Sequence, residues 1–240
     1  MLELKNITKR YGKKTALSDI NIRFEHGIYG LLGPNGAGKS TMMNLMADIL
    51  TPTAGEVLYD GQSIKKLGDE YRAHIGFLPQ RVGYYAQFTA EDTLRYFALL
   101  RGVAKAEIPE RIDQVLREVH LIDHKKDKVK TFSGGMKQRL GIAITLVGAP
   151  DILIFDEPTV GLDPKERIQF REVLQRLSES STIILSTHIV SDVANIADYV
   201  VLMKDGKMVG FDTQEKILNE TLKGEKEADL EAIYMEIYGD

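Results

Sequence analysis

The sequence predicts an α/β fold built on a parallel sheet, with antiparallel strands at its start and a helical insertion in its middle. Three observations carry that expectation. Compact apolar runs, DILIF at 151–155, TIILST at 182–187 and YVVLM at 199–203, alternate with helix-periodic stretches at 164–178 and 190–197, the pattern of buried strands joined by crossover helices. Another apolar run, IYGLLG at 28–33, ends in a glycine-rich loop and passes at once into the helix-like KSTMMNLMADIL. From Glu91 to Lys128, the segments EDTLRYFALLRG and IPERIDQVLREVH space their apolar residues three and four apart, so this stretch reads as helical.

The remaining elements follow in chain order. LELKNI at 2–7 and INIRF at 20–24 show period-two alternation or β-branched enrichment and predict an antiparallel β start. GEVLYDGQ around Val57 to Asp60, with Asp60-Gly61 as a turn signal, and IGFLP at 75–79 add strands. The tail from Asp212 to Asp240 is acidic and helix-prone, with Leu230, Ile233, Tyr234 and Ile237 on one face. There is no internal repeat.

Size and composition exclude several classes. At 240 residues the chain can bury about 70–75% of its unfolded surface without disulfides or metals. The net charge of −4 gives no strong basic field toward nucleic acid or anionic lipid, so no nucleic-acid partner is expected. The lack of cysteine removes disulfide frameworks and thiolate metal sites and fits a reducing cytosol. The start of the chain, MLELKNITKRYGKK, lacks the continuous apolar stretch of a signal peptide. The longest apolar region, Ile142 to Phe155, is interrupted by Thr145, Gly148, Pro150 and Asp151, short of the ~20 apolar residues that cross a bilayer. A membrane role would therefore run through a partner.

The glycine loop carries the chemistry. Gly33 to Ser40, GPNGAGKS, fits G-x-x-x-x-G-K-[ST] at every fixed position, between an apolar strand and a helix. Glycine at Gly36 and Gly38 lets backbone N–H groups turn toward phosphate oxygens, and the helix adds its positive end. Lys39 is the candidate for the β- and γ-phosphates and Ser40 for Mg²⁺, which predicts a P-loop NTPase. Gly33, Asn35, Ala37 and Thr41 complete the candidate phosphate-binding set. ILIFDEP at 152–158 then puts Asp156 at the end of a buried strand, suited to the Mg²⁺ water shell. Beside it, Glu157 is suited to orient and polarise the attacking water.

Taken in order, Tyr11, the P-loop, Gln80 after Pro79, FSGGMKQ at 132–138, Asp156-Glu157, Gly161-Leu162-Asp163 and His188 after an apolar strand resemble the ATP-binding subunit of ABC transporters. The resemblance covers about residues 2–238. It implies an ABC ATPase with a RecA-like parallel-sheet core and an antiparallel β subdomain at about 1–90 and 150–212, a helical subdomain at about 91–149 and a helical tail at 213–240, all one domain. It implies ATP and Mg²⁺ as ligands, with Tyr11 stacking on adenine, Gln80 sensing Mg²⁺ and the γ-phosphate, and Glu157 and His188 beside the reacting phosphate. Ser133, Gly134 and Gly135 would close over ATP bound by a second copy. Ser-Gly-Gly opening a helix offers a hydroxyl, backbone N–H groups and a positive helix end, the same anion chemistry as the P-loop. One chain holds one of each element, so the resemblance implies a head-to-tail homodimer burying two ATP molecules.

The partner implied beyond that dimer is an integral membrane permease, which would hold the protein at the inner face of the cell membrane. The tail resembles those of drug and antibiotic exporters. The signature commonly reads Leu-Ser-Gly-Gly-Gln, whereas this chain has Phe132 and Met136, and a thioether replaces a hydrogen-bonding amide. Tyr84, Tyr85 and Phe88 are the candidates for permease contact, since aromatic residues favour interface cores. The basic run HKKDKVK at 124–130 reads as a solvated loop, being interrupted by Asp127. Two other classes compete for these motifs. A non-transport ABC switch on a ribosome or nucleic-acid partner usually carries paired cassettes, long insertions or zinc cysteines, and a regulatory GTPase would carry Asn-Lys-x-Asp; neither set is present.

Overall fold

The computed structural model describes residues 1–221 and 230–239. The chain opens with the antiparallel pair β1 (Leu2–Tyr11) and β2 (Lys14–Phe24), then enters β3 (Gly27–Leu32), the glycine loop and α1 (Lys39–Met46). Strands β4 (Ala54–Tyr59) and β5 (Gln62–Ser63) lead through the short helices α2 (Ile64–Leu67) and α3 (Asp69–Ala73) to β6 (Ile75–Leu78). Three helices follow with no named strand between them: α4 (Ala90–Leu100), α5 (Ile108–Glu118) and α6 (Gly134–Leu146). Alternation then sets in as β7 (Ile152–Asp156), α7 (Pro164–Ser178), β8 (Thr182–Ser186), α8 (Val190–Ala194) and β9 (Tyr199–Lys204). β10 (Lys207–Thr213) turns back on β9, and α9 (Gln214–Thr221) and α10 (Leu230–Tyr238) complete the described chain.

Two sheets result. One is antiparallel, ordered β2-β1-β4-β5; the other is ordered β10-β9-β3-β8-β7-β6 and is parallel except for the β10 edge. Side chains of the larger sheet alternate between two cores, which is why its strands are apolar almost throughout. Ile28, Leu32, Leu153, Phe155, Ile183 and Leu185 face the core shared with α4, α5, α6 and α7. Tyr29, Leu31, Ile152, Ile154, Ile184 and Met203 face the core shared with α1 and the antiparallel sheet.

Several boundaries differ from the sequence expectation. β2 begins at Lys14, six residues before Ile20, because its pairing with β1 continues to Tyr11↔Lys14 even where the residues are polar. α1 stops at Met46, and α8 at Ala194. The helical stretch from Glu91 to Lys128 divides into α4 and α5, followed by a 3₁₀ turn at Ile122–His124. In the tail, Leu230 and Ile233 are buried and Ile237 packs on the same core, while the Tyr234 ring lies tilted against Tyr238 with centroids 4.5 Å apart. The tail expectation also covers residues 222–229 and 240, which lie outside the described residues.

Candidate nucleotide-binding site

Parallel strands place the candidate residues, because β3, β6, β7 and β8 all release their chains at the same edge of the sheet. Directly after them come Gly33, the Pro79-Gln80 pair, Glu157 and the Thr187-His188 pair. A cleft of about 260 Å³ at this edge is lined by Tyr11, Asn35, Gly36, Gly38, Lys39, Ser40, Thr41, Gln80 and Glu157, with Lys14 and Ala16 from β2. Gly33 and Ala37 complete the loop behind it.

The loop's backbone explains its glycines. Gly36 and Gly38 have φ of +86° and +108°, values that L side chains rarely adopt. A Cβ at Gly38 would also meet Leu17 Cδ2 at 2.7 Å and the Ala16 carbonyl at 2.8 Å, so β2 packs directly on the start of α1. Lys39 is buried, and its ammonium donates to the carbonyl oxygens of Gly33 at 2.6 Å and Pro34 at 3.2 Å. Burial pulls its pKa below the ordinary lysine value, opposed by the nearby Glu157 and Asp156. Tyr11 is exposed, with the Lys9 ammonium 5.1 Å from its ring centroid.

The two carboxylates differ. Asp156 is buried and accepts a hydrogen bond from the Ser186 hydroxyl at 2.5 Å. Glu157 has left β7 and sits at φ +53°, an uncommon conformation for a side-chain-bearing residue. Its N–H donates to the Ser186 carbonyl at 3.1 Å and to the Ser186 hydroxyl at 3.0 Å. Its carboxylate lies 3.0 Å from His188 Nδ1, on a ring about half exposed. Thus Ser186 links Asp156 to Glu157 and Glu157 meets His188, while of the three predicted residues Glu157 lines the cleft and Asp156 and His188 lie behind it. Ser186 was missed by sequence reasoning. The available signal was a hydroxyl ending TIILS, but its partner is fixed only by the β7–β8 register, which places Asp156 opposite Ser186.

The Ser-Gly-Gly turn is built elsewhere, since Ser133, Gly134 and Gly135 do not line this cleft. Ser133 is the N-cap of α6, and its hydroxyl accepts the Met136 N–H at 3.1 Å. Gly135 is buried against the Glu166 carboxylate, which an added Cβ would overlap at 1.8 Å. Glu166 is held there by a capping box at the start of α7, where its carboxylate accepts the Asp163 N–H at 3.1 Å. The start of α7, capped by Asp163, therefore reaches the Ser-Gly-Gly turn through Glu166, with Leu162 buried in the shared core. Phe132 is also buried in that core, and Met136 packs on it half-buried.

Of the candidates for permease contact, Tyr84 is half-buried: its hydroxyl donates to the Lys137 carbonyl at 2.7 Å, and burial raises its pKa. Tyr85 and Phe88 are exposed, their rings tilted against each other with centroids 5.0 Å apart, and Tyr96 is edge-on to Tyr85 at 5.8 Å. The run at 124–130 is largely exposed, as a solvated loop should be, with Lys125 half-buried and Val129 buried. Lys125 pairs with Asp113 at 2.5 Å, while Lys126 and Arg95 both pair with Glu91, so the run is tied to α4 and α5. The Lys126 ammonium holds the Glu91 carboxyl below the usual range.

Comparison with known proteins adds an independent observation. A family profile described as "ABC transporter" matches residues 17–160. The linearmycin resistance ATP-binding protein LnrL of Bacillus subtilis (strain 168) is 36% identical over 244 residues, covering 97% of this chain and 78% of the relative. The lantibiotic transport ATP-binding protein SrtF of Streptococcus pyogenes is 36% identical over 234 residues, covering 94% of this chain and 99% of the relative. Among solved structures, an ATP-binding subunit of an ABC transporter superposes with a TM-score of 0.88 at 29% identity, covering 99% of both chains. A dimeric ATP-binding cassette in a post-hydrolysis state, bound to ADP and Pi, superposes with a TM-score of 0.79 at 28% identity over 89% of this chain and 98% of that one.

Proposed function

The chain belongs to the ABC transporter family, and from that premise we propose that it binds and hydrolyses ATP as a head-to-tail dimer that drives a separately encoded membrane permease of the export type. The observation that carries the reading is the cleft that gathers Lys39, Ser40, Gln80 and Glu157 from strand ends far apart in sequence, with Ser133–Gly135 outside it. Such a site is half complete, and a second copy supplies the missing anion-binding turn. The resistance and transport proteins among its relatives support export.

In this reading the loop N–H groups from Asn35 to Thr41 and the start of α1 hold the phosphates, and the adenine stacks on Tyr11. Lys39 exchanges its two loop carbonyls for β- and γ-phosphate oxygens. Glu157 accepts the hydrogen bond of the attacking water, and His188 orients the Glu157 carboxylate and faces the transferred phosphoryl group. Mg²⁺ fits the donors present, since it takes oxygen ligands and needs only one or two carboxylates beside substrate phosphates. The Ser40 hydroxyl and the Gln80 amide oxygen at the cleft and the Asp156 carboxylate at the end of β7 would hold it, and bound Mg²⁺ would neutralise phosphate charge. The parts divide as a β and RecA-like core at about 1–90 and 150–212, a helical subdomain at about 91–149 and a tail at 213–240.

Among the described residues no helix is long and apolar enough to cross a membrane. The protein would then sit on the inner face of the cell membrane through its permease, which we assign to the exposed Tyr85, Phe88 and Tyr96 cluster. The test of the whole reading is Glu157→Gln, which keeps side-chain shape and removes the carboxylate. Nucleotide binding should persist while hydrolysis falls by on the order of 10²–10⁴-fold, and size-exclusion chromatography with ATP should show a stable dimer. Turnover at the wild-type rate would remove Glu157 from its role.

A further inference from the structure

Ser186 ends β8 with no exposed surface, opposite Asp156 in the parallel register. Its hydroxyl has two partners at once, donating to Asp156 Oδ1 at 2.5 Å and accepting the Glu157 N–H at 3.0 Å. The Ser186 carbonyl takes the same N–H at 3.1 Å. Two residues on, His188 Nδ1 meets the Glu157 carboxylate at 3.0 Å. One short segment thus grips Glu157 at its backbone and at its carboxylate, and grips Asp156 at one of its two oxygens. The need for such a grip is visible in the backbone, since Glu157 sits at φ +53°, a conformation that surrounding contacts must maintain.

We propose that Ser186 is a positioning residue for ATP hydrolysis, its hydroxyl fixing which Asp156 oxygen is left to face the metal and phosphates while clamping the Glu157 backbone so that its carboxylate points into the cleft. The proposal rests on the roles given to Asp156 and Glu157 above. It makes one hydroxyl serve both halves of the chemistry, metal placement and water placement. Alanine removes both hydrogen bonds. Cysteine nearly matches serine in size but hydrogen-bonds weakly, so it separates bonding from packing. Threonine keeps the hydroxyl and suits a strand.

The experiment uses the full chain and a fluorescent ATP analogue, titrated with MgCl₂ and, separately, in EDTA. Ser186→Ala and Ser186→Cys should raise the Mg²⁺ concentration at half-saturation about tenfold, the low end of what loss of an outer-shell partner costs. Affinity in EDTA should stay within about twofold, since the hydroxyl bonds to Asp156 and Glu157 and not to the glycine loop, and steady-state kcat should fall with KM for ATP little changed. Ser186→Thr should retain the wild-type Mg²⁺ dependence. Thermal melting of each variant shows that it is folded; should the alanine variant not fold, the cysteine and threonine pair carries the comparison. An unchanged Mg²⁺ dependence in the alanine and cysteine variants overturns the proposal. Asp156→Asn distinguishes the cause: if it shifts the Mg²⁺ dependence and the Ser186 variants do not, only the role of Ser186 falls; if it too shifts nothing, the metal assignment falls and the proposal falls with it.

Discussion

The two glycine turns of this chain use the same local chemistry in opposite settings. Gly38 opens α1 with no side-chain cap, so the first-turn N–H groups of that helix are left for a ligand. Ser133 opens α6 and caps it with its own hydroxyl, which accepts the Met136 N–H. Behind the first turn lie a buried lysine and two carboxylates suited to metal and water; against the second lies the Glu166 carboxylate. A glycine turn before a helix is thus only the beginning of a phosphate site. What surrounds it decides whether it holds a nucleotide by itself or contributes one wall to a neighbour's site.

The comparison is broken most severely by disabling each turn in a separate chain. Lys39→Ala and Ser133→Arg should each reduce turnover by about 10²–10³-fold, the scale of losing a principal charge-stabilising contact. Mixed in equal amounts they should recover about a quarter of the wild-type rate, since random pairing makes half the dimers mixed and each mixed dimer holds one intact site of two. Steady-state phosphate release from the mixture is the measurement. A mixture no faster than its parents, under conditions where wild type is active, would mean that the two turns do not act across chains.

Next in size is the contact that distinguishes the second turn. Gly135→Ala must displace the Glu166 carboxylate, and displacement breaks its bond to the Asp163 N–H, one half of the α7 capping box. Loss of that bond should cost about 1 kcal/mol in a denaturant melt. In Glu166→Ala the carboxylate is already gone, so adding Gly135→Ala to it should cost much less than in wild type. Equal costs in both backgrounds would show that Gly135 is required for another reason.

These residues also show which features were legible in the sequence. The P-loop could be read because its residues are contiguous and its φ values demand glycine at Gly36 and Gly38. The parallel core could be read from runs apolar on both faces, and Asp156-Glu157 from the end of one such run. Ser186 and Glu166 could not, because each acts through a partner that only strand register or helix docking brings near. The anchoring of Tyr84 was hidden for the same reason, since its hydroxyl reaches the Lys137 carbonyl, 53 residues away along the chain.

The smallest expected effect concerns Met136, where the second turn departs from the common glutamine. Its backbone N–H already has the Ser133 hydroxyl as acceptor, and its side chain lies half-buried on the core that also holds Phe132 and Leu140. The thioether is therefore packed as part of the α6 foundation, and a glutamine there would have to leave an apolar surface before its amide could reach a partner's nucleotide. Met136→Gln should lower stability by about 0.5 kcal/mol, the scale of losing part of one half-buried apolar side chain. Turnover should change by less than about threefold, equivalent to ~0.6 kcal/mol in the barrier. Met136→Leu, which keeps the apolar volume, should preserve both stability and rate. A much larger change in kcat/KM for the glutamine variant, with stability intact, would show instead that this side chain faces the nucleotide and that the departure tunes turnover.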